Sequence, residues 1–213
     1  MTTAASSPAT GIFVVFEGGE GSGKTTQIAR LTAFVRARNL TVVTTREPGG
    51  TVVGQSIRAL LLDPATGELS PRTEALLYAA DRAEHVAAVI TPALSKGDLV
   101  LSDRYIDSSL AYQGAGRELK LDDVALLSQW ATDSLVPDLT VVLDIDPRVG
   151  MSRFEGADRL EALSLDFHDR VRQGFLDLAA HAPSRYLVVD GTQSPDSVES
   201  LIQARVIELL DQA

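Results

Sequence analysis

Between an apolar run at residues 12–16 and a helical pattern with Ile28, Leu31, Phe34 and Val35 on one face lies Gly18-Gly19-Glu20-Gly21-Ser22-Gly23-Lys24-Thr25, an instance of G-x-x-x-x-G-K-[ST]. A strand, a glycine loop and a helix in that order are what polyphosphate binding requires. Glycines let successive backbone N–H groups curl around an anion, and the helix start adds the positive end of its dipole. Lys24 supplies a point charge for the outer phosphates, the Thr25 hydroxyl is placed for Mg²⁺, and Thr26 continues the helix. The run implies a bound nucleoside triphosphate. It does not say what receives the phosphate.

The same alternation continues along the chain. Nearly unbroken apolar runs at residues 12–16, 41–45, 99–102, 139–145 and 186–189 read as strands buried on both faces. Helical patterns at 25–38, 53–62, 72–89, 121–134, 160–180 and 197–210 separate them, with Pro71 and Pro195 at helix starts. The expected fold class is α/β, with a five-stranded parallel sheet and helices on both faces. A chain of 213 residues suits one domain, expected at 11–213 behind an Ala/Ser/Thr/Pro-rich tail at 1–10. No apolar run reaches the roughly 18 residues of a membrane span, and no cysteine is present for disulfides or thiolate metal sites. Both facts fit a cytoplasmic protein.

The net charge of −10 argues against a polynucleotide partner, which needs a positive face. Positive charge must instead be concentrated where the triphosphate binds, so individual arginines become informative. In parallel sheets ligands sit beyond the carboxyl ends of the strands. After the second strand comes Thr45-Arg46-Glu47-Pro48-Gly49-Gly50-Thr51, which fits a surface turn and equally a carboxylate held beside the loop for a sugar hydroxyl or a metal-bound water. After the third come Asp103, Arg104 and Tyr105, then Ser108, Ser109, Tyr112 and Gln113. Asp103 suits Mg²⁺ and Arg104 a phosphate, although an Asp/Arg pair capping the next helix has the same spelling. Tyr78 and Arg82 share a helix face, as a core pair or as a base-stacking pair. Finally, Arg153 to Glu161 spells a helix start with Asp158 as cap and Glu161 three on, and it also offers Arg153 and Arg159 to the phosphates.

Taken in order, Phe16-Glu17-Gly18, Lys24-Thr25-Thr26-Gln27, residues 45–51, Asp81-Arg82-Ala83-Glu84-His85, Asp103-Arg104-Tyr105 with Tyr112-Gln113, and Asp158-Arg159-Leu160-Glu161 resemble the thymidylate kinases over about residues 11–211. The resemblance implies a three-layer phosphate-loop kinase fold, transfer of the ATP γ-phosphate to dTMP with Mg²⁺, and a homodimer. It implies ATP binding by residues 18–26, with Mg²⁺ held at Thr25 and Asp103. Glu17, Glu47 and Pro48 would lie near the acceptor, and the Glu47–Pro48 bond would be cis. Arg58 and Arg104 would hold the dTMP phosphate. Tyr78 would stack on thymine, Arg82 would bond the base edge, and Ser108, Ser109 and Gln113 would line the pocket. Tyr112 would close the space of a ribose 2′-hydroxyl. No arginine lies between Gly18 and Gly23, so the charge on the transferred phosphate is expected from a lid at about 153–161, on Arg153 or Arg159. Gly156 and Ala157 stand there where another basic residue is expected.

Three rival readings have different signatures. Another nucleoside monophosphate kinase would share the loop and differ in the base pocket. A GTPase-type switch needs Asn-Lys-x-Asp, and the single asparagine here, Asn39, precedes Leu40. A scaffold with a vestigial loop would not keep Lys24, Thr25 and Asp103 together.

Overall fold

All five side chains of β1 (Phe13–Glu17) are buried, and they divide between two faces. Val14 and Phe16 pack with α1 (Lys24–Arg36) and α9 (Pro195–Leu210). Phe13 and Val15 pack oppositely, with Val86, Ile90 and Tyr105. Burial on both faces is why the run is continuously apolar. The structure, a computed structural model, describes residues 11–153 and 159–212. β2 (Val42–Arg46), β3 (Leu99–Asp103), β4 (Leu139–Asp144) and β5 (Tyr186–Asp190) complete a parallel sheet of five strands in the order β2-β3-β1-β4-β5. α8 (Leu165–His181) covers the second face through Phe167, Val171 and Phe175, giving three layers.

Each strand ends in a charged residue: Glu17, Arg46, Asp103, Asp144 and Asp190. Four of them, all but β4, run one residue beyond the apolar run, because the ladder continues after the side chains turn polar. Phe16 and Arg46 lie opposite Asp103 in the two ladders that flank β3. Charged groups are thereby gathered at one edge of the sheet.

The helices also differ in detail from the periodicity. α2 (Val52–Leu62) is capped by Thr51. α3 (Pro71–His85) gives way to a π-helical turn, Val86–Ile90, and then α4 (Thr91–Leu94), where one helix over 72–89 was expected. Pro92 lacks an N–H and its ring crowds the carbonyl four residues back, so the preceding turn widens. α5 (Ile106–Ser109) leads into a second π-helical turn, Leu110–Gly116. α6 (Leu121–Ala131) stops short of 134, where Asp133 and Ser134 take left-handed backbone angles. α7 (Pro147–Met151) follows β4. α8 starts at Leu165, not 160, because the Ser164 hydroxyl accepts from the Phe167 N–H and sets the helix start there. The expected cap Asp158 lies outside the described residues.

Candidate active site

The N-terminus of α1 has no side-chain cap and no acidic residue in its first turn. α2, α3, α8 and α9 are capped by Thr51, Ser70, Ser164 and Ser194. The N–H groups of α1 are therefore left to a ligand, at the positive end of the helix dipole. Gly21 has φ 67°, and a Cβ there would sit 2.1 Å from the Gly150 carbonyl oxygen, so the loop needs glycine. Lys24 curls back over the loop, donating to the carbonyls of Gly18 at 3.1 Å and Gly19 at 2.9 Å. Burial and the nearby Arg104 charge lower the Lys24 ammonium to about 8, against the pull of Asp103 and Glu20.

Arg104 follows β3 with a left-handed φ of 72°. Such a conformation costs about 1–3 kcal/mol in a residue with a side chain and persists only where the surroundings fix it. The fixing bonds are specific. Arg104 Nη1 donates to the Gly18 carbonyl and the Ser108 hydroxyl at 3.1 Å each, and Nη2 donates to Glu20 Oε1 at 2.8 Å. The guanidinium lies 5.0 Å over the Tyr112 ring, whose hydroxyl donates to Glu20 at 2.6 Å. Burial alone would raise the Glu20 carboxyl, but Arg104, Lys24 and Tyr112 outweigh it and hold it below its ordinary value. Glu17 accepts from the Tyr105 N–H at 2.8 Å and from the Ser108 N–H and hydroxyl at 3.1 and 2.6 Å, capping α5 from another strand. Burial raises its carboxyl to about 7, with Arg104 opposing and Asp107 adding.

Behind the turn after β2 lies a second buried network. The Glu47–Pro48 bond is cis. Glu47 accepts from Arg82 Nε at 2.7 Å and from His85 Nδ1 at 2.9 Å. Arg82 also donates to the Ser109 hydroxyl at 3.0 Å and the Tyr105 carbonyl at 2.9 Å. With its proton on Nδ1, His85 accepts from the Thr45 hydroxyl through Nε2. Asp81 accepts from the Gly49 N–H at 2.9 Å. Burial raises Asp81 to about 6, the Gly49 bond opposing and the Glu47 charge adding.

These elements enclose a cavity of about 460 Å³. Lys24, Thr25 and Asp103 line it beside the loop, and Tyr78, Ser108, Tyr112 and Gln113 line its far side. An adjoining hollow of about 370 Å³ shares Thr25, Arg46 and Asp103. Asp103 Oδ1 is buried without a hydrogen-bond partner among the described residues, an acceptor left for a cation or its water. Among the described residues no group of three His, Cys, Asp or Glu side chains could hold a metal ion alone. A cation at Asp103 would draw its other ligands from hydroxyl, water and phosphate oxygens, the habit of Mg²⁺.

The sequence model of the thymidylate kinase family matches residues 16–202. The chain belongs to the thymidylate kinase family. A thymidylate kinase of Bifidobacterium longum subsp. infantis is 54% identical over 204 residues, 94% of this chain and 88% of its own length. Those of Deinococcus radiodurans and Cutibacterium acnes are 52% and 51% identical over 201 residues, covering 93% and 94% of this chain and 97% and 98% of their own.

In this member of the thymidylate kinase family the cavity brings together Glu20 to Thr26 of the loop with Glu47, Pro48, Arg58, Tyr78, Asp103, Arg104, Ser108, Tyr112 and Gln113. Glu17, Arg82 and Ser109 stand behind its wall and are buried, Arg82 donating to the Ser109 hydroxyl and Glu17 accepting from the neighbouring Ser108. Gly18 and Gly19 do not line the cavity; their carbonyls hold Lys24, which does. The two ends of the expected lid rest on different elements. Arg153 donates to the Gly21 carbonyl at 2.9 Å, whereas Arg159 donates to the Leu61 carbonyl at 2.7 Å and to Glu74 at 2.6 Å. Residues 154–158 between them lie outside the described residues. Leu160 and Glu161, within the expected lid, line the cavity wall, while Arg46 and Leu62 on that wall and the buried His85 on Glu47 were not singled out as site residues. Arg46 had a signal, since it ends a strand just as Asp103 does. His85 had one in the Asp81–His85 stretch that carries the resemblance, and Leu62 had none.

Proposed function

We infer that the chain transfers the γ-phosphate of ATP to dTMP, giving dTDP and ADP. The observation that carries this reading is a single cavity in which a phosphate loop faces an aromatic slot, Tyr78 and Tyr112, across the arginines Arg46, Arg58 and Arg104. In this reading the loop amides and Lys24 hold the β- and γ-phosphates of ATP. Thr25 and Asp103 would hold Mg²⁺, which when bound neutralises charge on those phosphates. Arg58 and Arg104 hold the dTMP phosphate, with Arg46 beside them. Tyr78 stacks on thymine, and Ser108 and Gln113 border it. Tyr112, fixed by Glu20, stands against a 2′-hydroxyl. Glu47 and Pro48 form part of the slot's wall, and Arg82, Ser109 and Glu17 set its shape from behind.

An ionised oxygen of the dTMP phosphate attacks the γ-phosphorus as the bond to ADP breaks, so no strong general base is needed. Catalysis is alignment and charge neutralisation. We assign the charge on the moving group to Arg153, because it rests on the loop at Gly21. ADP release with ATP and dTMP, against dUMP, dCMP and AMP, tests the reading. The missing methyl of dUMP should cost about 1–3 kcal/mol, roughly 10–200-fold. Equal rates on AMP would overturn it.

A homodimer has its own support. α2, α3 and α6 carry exposed apolar side chains, among them Val52, Leu76, Leu126 and Trp130, the last 80% exposed. We propose that these cover one another in a dimer. Trp130→Glu should shift the sedimenting species to a monomer, and an unchanged mass would remove this face from consideration. No helix among the described residues is long and apolar enough to cross a membrane. The substrates ATP and dTMP suit a cytoplasmic setting.

A further inference from the structure

Glu74 has no part in the chemistry above, yet its carboxylate is fully buried and four hydrogen bonds converge on it. Gln113 Nε2 donates at 3.0 Å, Arg117 Nε and Nη2 at 3.2 and 3.0 Å, and Arg159 Nη2 at 2.6 Å. A carboxylate offers about four acceptor sites, so Glu74 is saturated. Its partners come from two parts of the chain, Gln113 and Arg117 from one and Arg159 from the other, and two of them are guanidiniums on a single carboxylate. Arg159 is held at a second point, Nε on the Leu61 carbonyl at 2.7 Å, and its backbone N–H reaches the Leu62 carbonyl at 3.2 Å.

Two of the three tied groups, Gln113 and Arg159, adjoin the far wall of the cavity. Gln113 lines it directly, Leu62 and the pair Leu160-Glu161 line it on either side of the Arg159 anchor, and Tyr78 stands one helical turn beyond Glu74 on α3. The phosphate loop makes no contact with this cluster in any of those bonds. Guanidinium forks fix direction as well as distance, so the arrangement is geometric and not merely charge-balancing. We propose that Glu74 is a positioning residue for the acceptor: through Arg159 and Gln113 it sets the wall against which dTMP lies. This rests on the reading of the cavity as a dTMP site. It also makes Arg159 an anchor of that wall, not a group that touches the transferred phosphate.

The test is steady-state kinetics of Glu74→Gln and Arg159→Met, singly and combined, with KM measured separately for dTMP and ATP. Each single variant should raise KM for dTMP about ten-fold, with KM for ATP unchanged and kcat within a few-fold. The double variant should be no worse than the worse single, because the two act as one unit. A collapse of kcat with unchanged KM for dTMP in Arg159→Met would overturn the proposal, as would equal rises in both KM values or strictly additive effects. If Glu74→Gln does not fold, Arg159→Met decides alone. The rise in melting temperature that saturating dTMP gives should shrink in it, while the rise given by ATP persists. If the wild-type chain does not phosphorylate dTMP at all, the substrate reading fails by itself. The KM split, measured on whichever monophosphate it accepts, then still judges Glu74.

Discussion

The phosphate loop and the acceptor slot share one cavity, but they hold their polar groups in opposite ways. The loop is a run of consecutive residues whose ammonium, Lys24, bonds to its own loop carbonyls, and the helix behind it is uncapped. A triphosphate can take over those interactions. The slot is assembled across the chain: Arg82 meets Glu47 over 35 residues of sequence, while Arg104 and Tyr112 reach the loop's own Glu20 over 84 and 92. Its buried donors and acceptors already serve one another. A loop of that kind binds phosphate whatever it is attached to, while a slot of that kind keeps one shape and selects what fits it.

The largest expected effect comes from breaking the slot. Arg82→Met leaves Glu47 buried with, among the described residues, only the His85 side-chain bond, and removing one partner of a buried pair costs about 3–5 kcal/mol. Urea denaturation should show that loss, and a wild-type midpoint with an unchanged slope would mean the slot is not held by its charges. Next is the loop. Lys24→Ala should cut turnover by about 10²–10³-fold, the size of losing one charge aimed at the transition state. Its midpoint should move far less than that of Arg82→Met, since the Lys24 bonds are local. Turnover near wild type in this variant would sink the assignment of the loop as the donor site.

The same contrast explains what the sequence revealed. The loop was legible because its chemistry needs adjacent residues in fixed order, and the apolar runs around it mark strand and helix directly. Strand ends were legible to within a residue, and the residue lost was the informative one: Glu17, Arg46, Asp103 and Asp190 are polar but remain in the ladder. The slot was only half legible. Tyr78 and Arg82 share a helix face four residues apart, yet the aromatic lines the cavity and the arginine is buried on Glu47. Periodicity cannot separate them, because burial of Arg82 depends on a carboxylate supplied by the turn after β2. Glu74, and the role of Arg159 as its partner, are further from legibility still. A buried Glu and a polar surface Glu in the first turn of a helix are spelled alike, and only tertiary contact distinguishes them.

A smaller effect probes the slot through pH. Glu17 has its carboxyl raised from 4.5 to about 7, chiefly by burial. The folded state then holds the proton more tightly than the unfolded chain. Its contribution is fully present below about pH 4.5 and is lost as pH rises toward 7. The stability of the wild type relative to Glu17→Gln should therefore fall between pH 5 and 7.5, by no more than about 3 kcal/mol in all. Paired denaturation curves at those two pH values measure it. A difference that does not change with pH would show that Glu17 is ionised throughout.

The smallest effect compares two helix starts. Thr51 accepts from the Gly54 N–H at 2.8 Å and caps α2, which carries Arg58 and leads to Leu61. Losing such a cap costs about 1 kcal/mol, a fall of roughly 2–4 °C in melting temperature for a chain of this size. Thr51→Ala should show that fall equally with and without ATP, because no ligand replaces the hydroxyl. α1 behaves differently. Its start has no cap to lose, so ATP should raise the melting temperature of wild type and Thr51→Ala by the same amount. If the variant instead loses the ATP-dependent rise, the two helix starts are coupled, and loop and slot are less independent than their construction indicates.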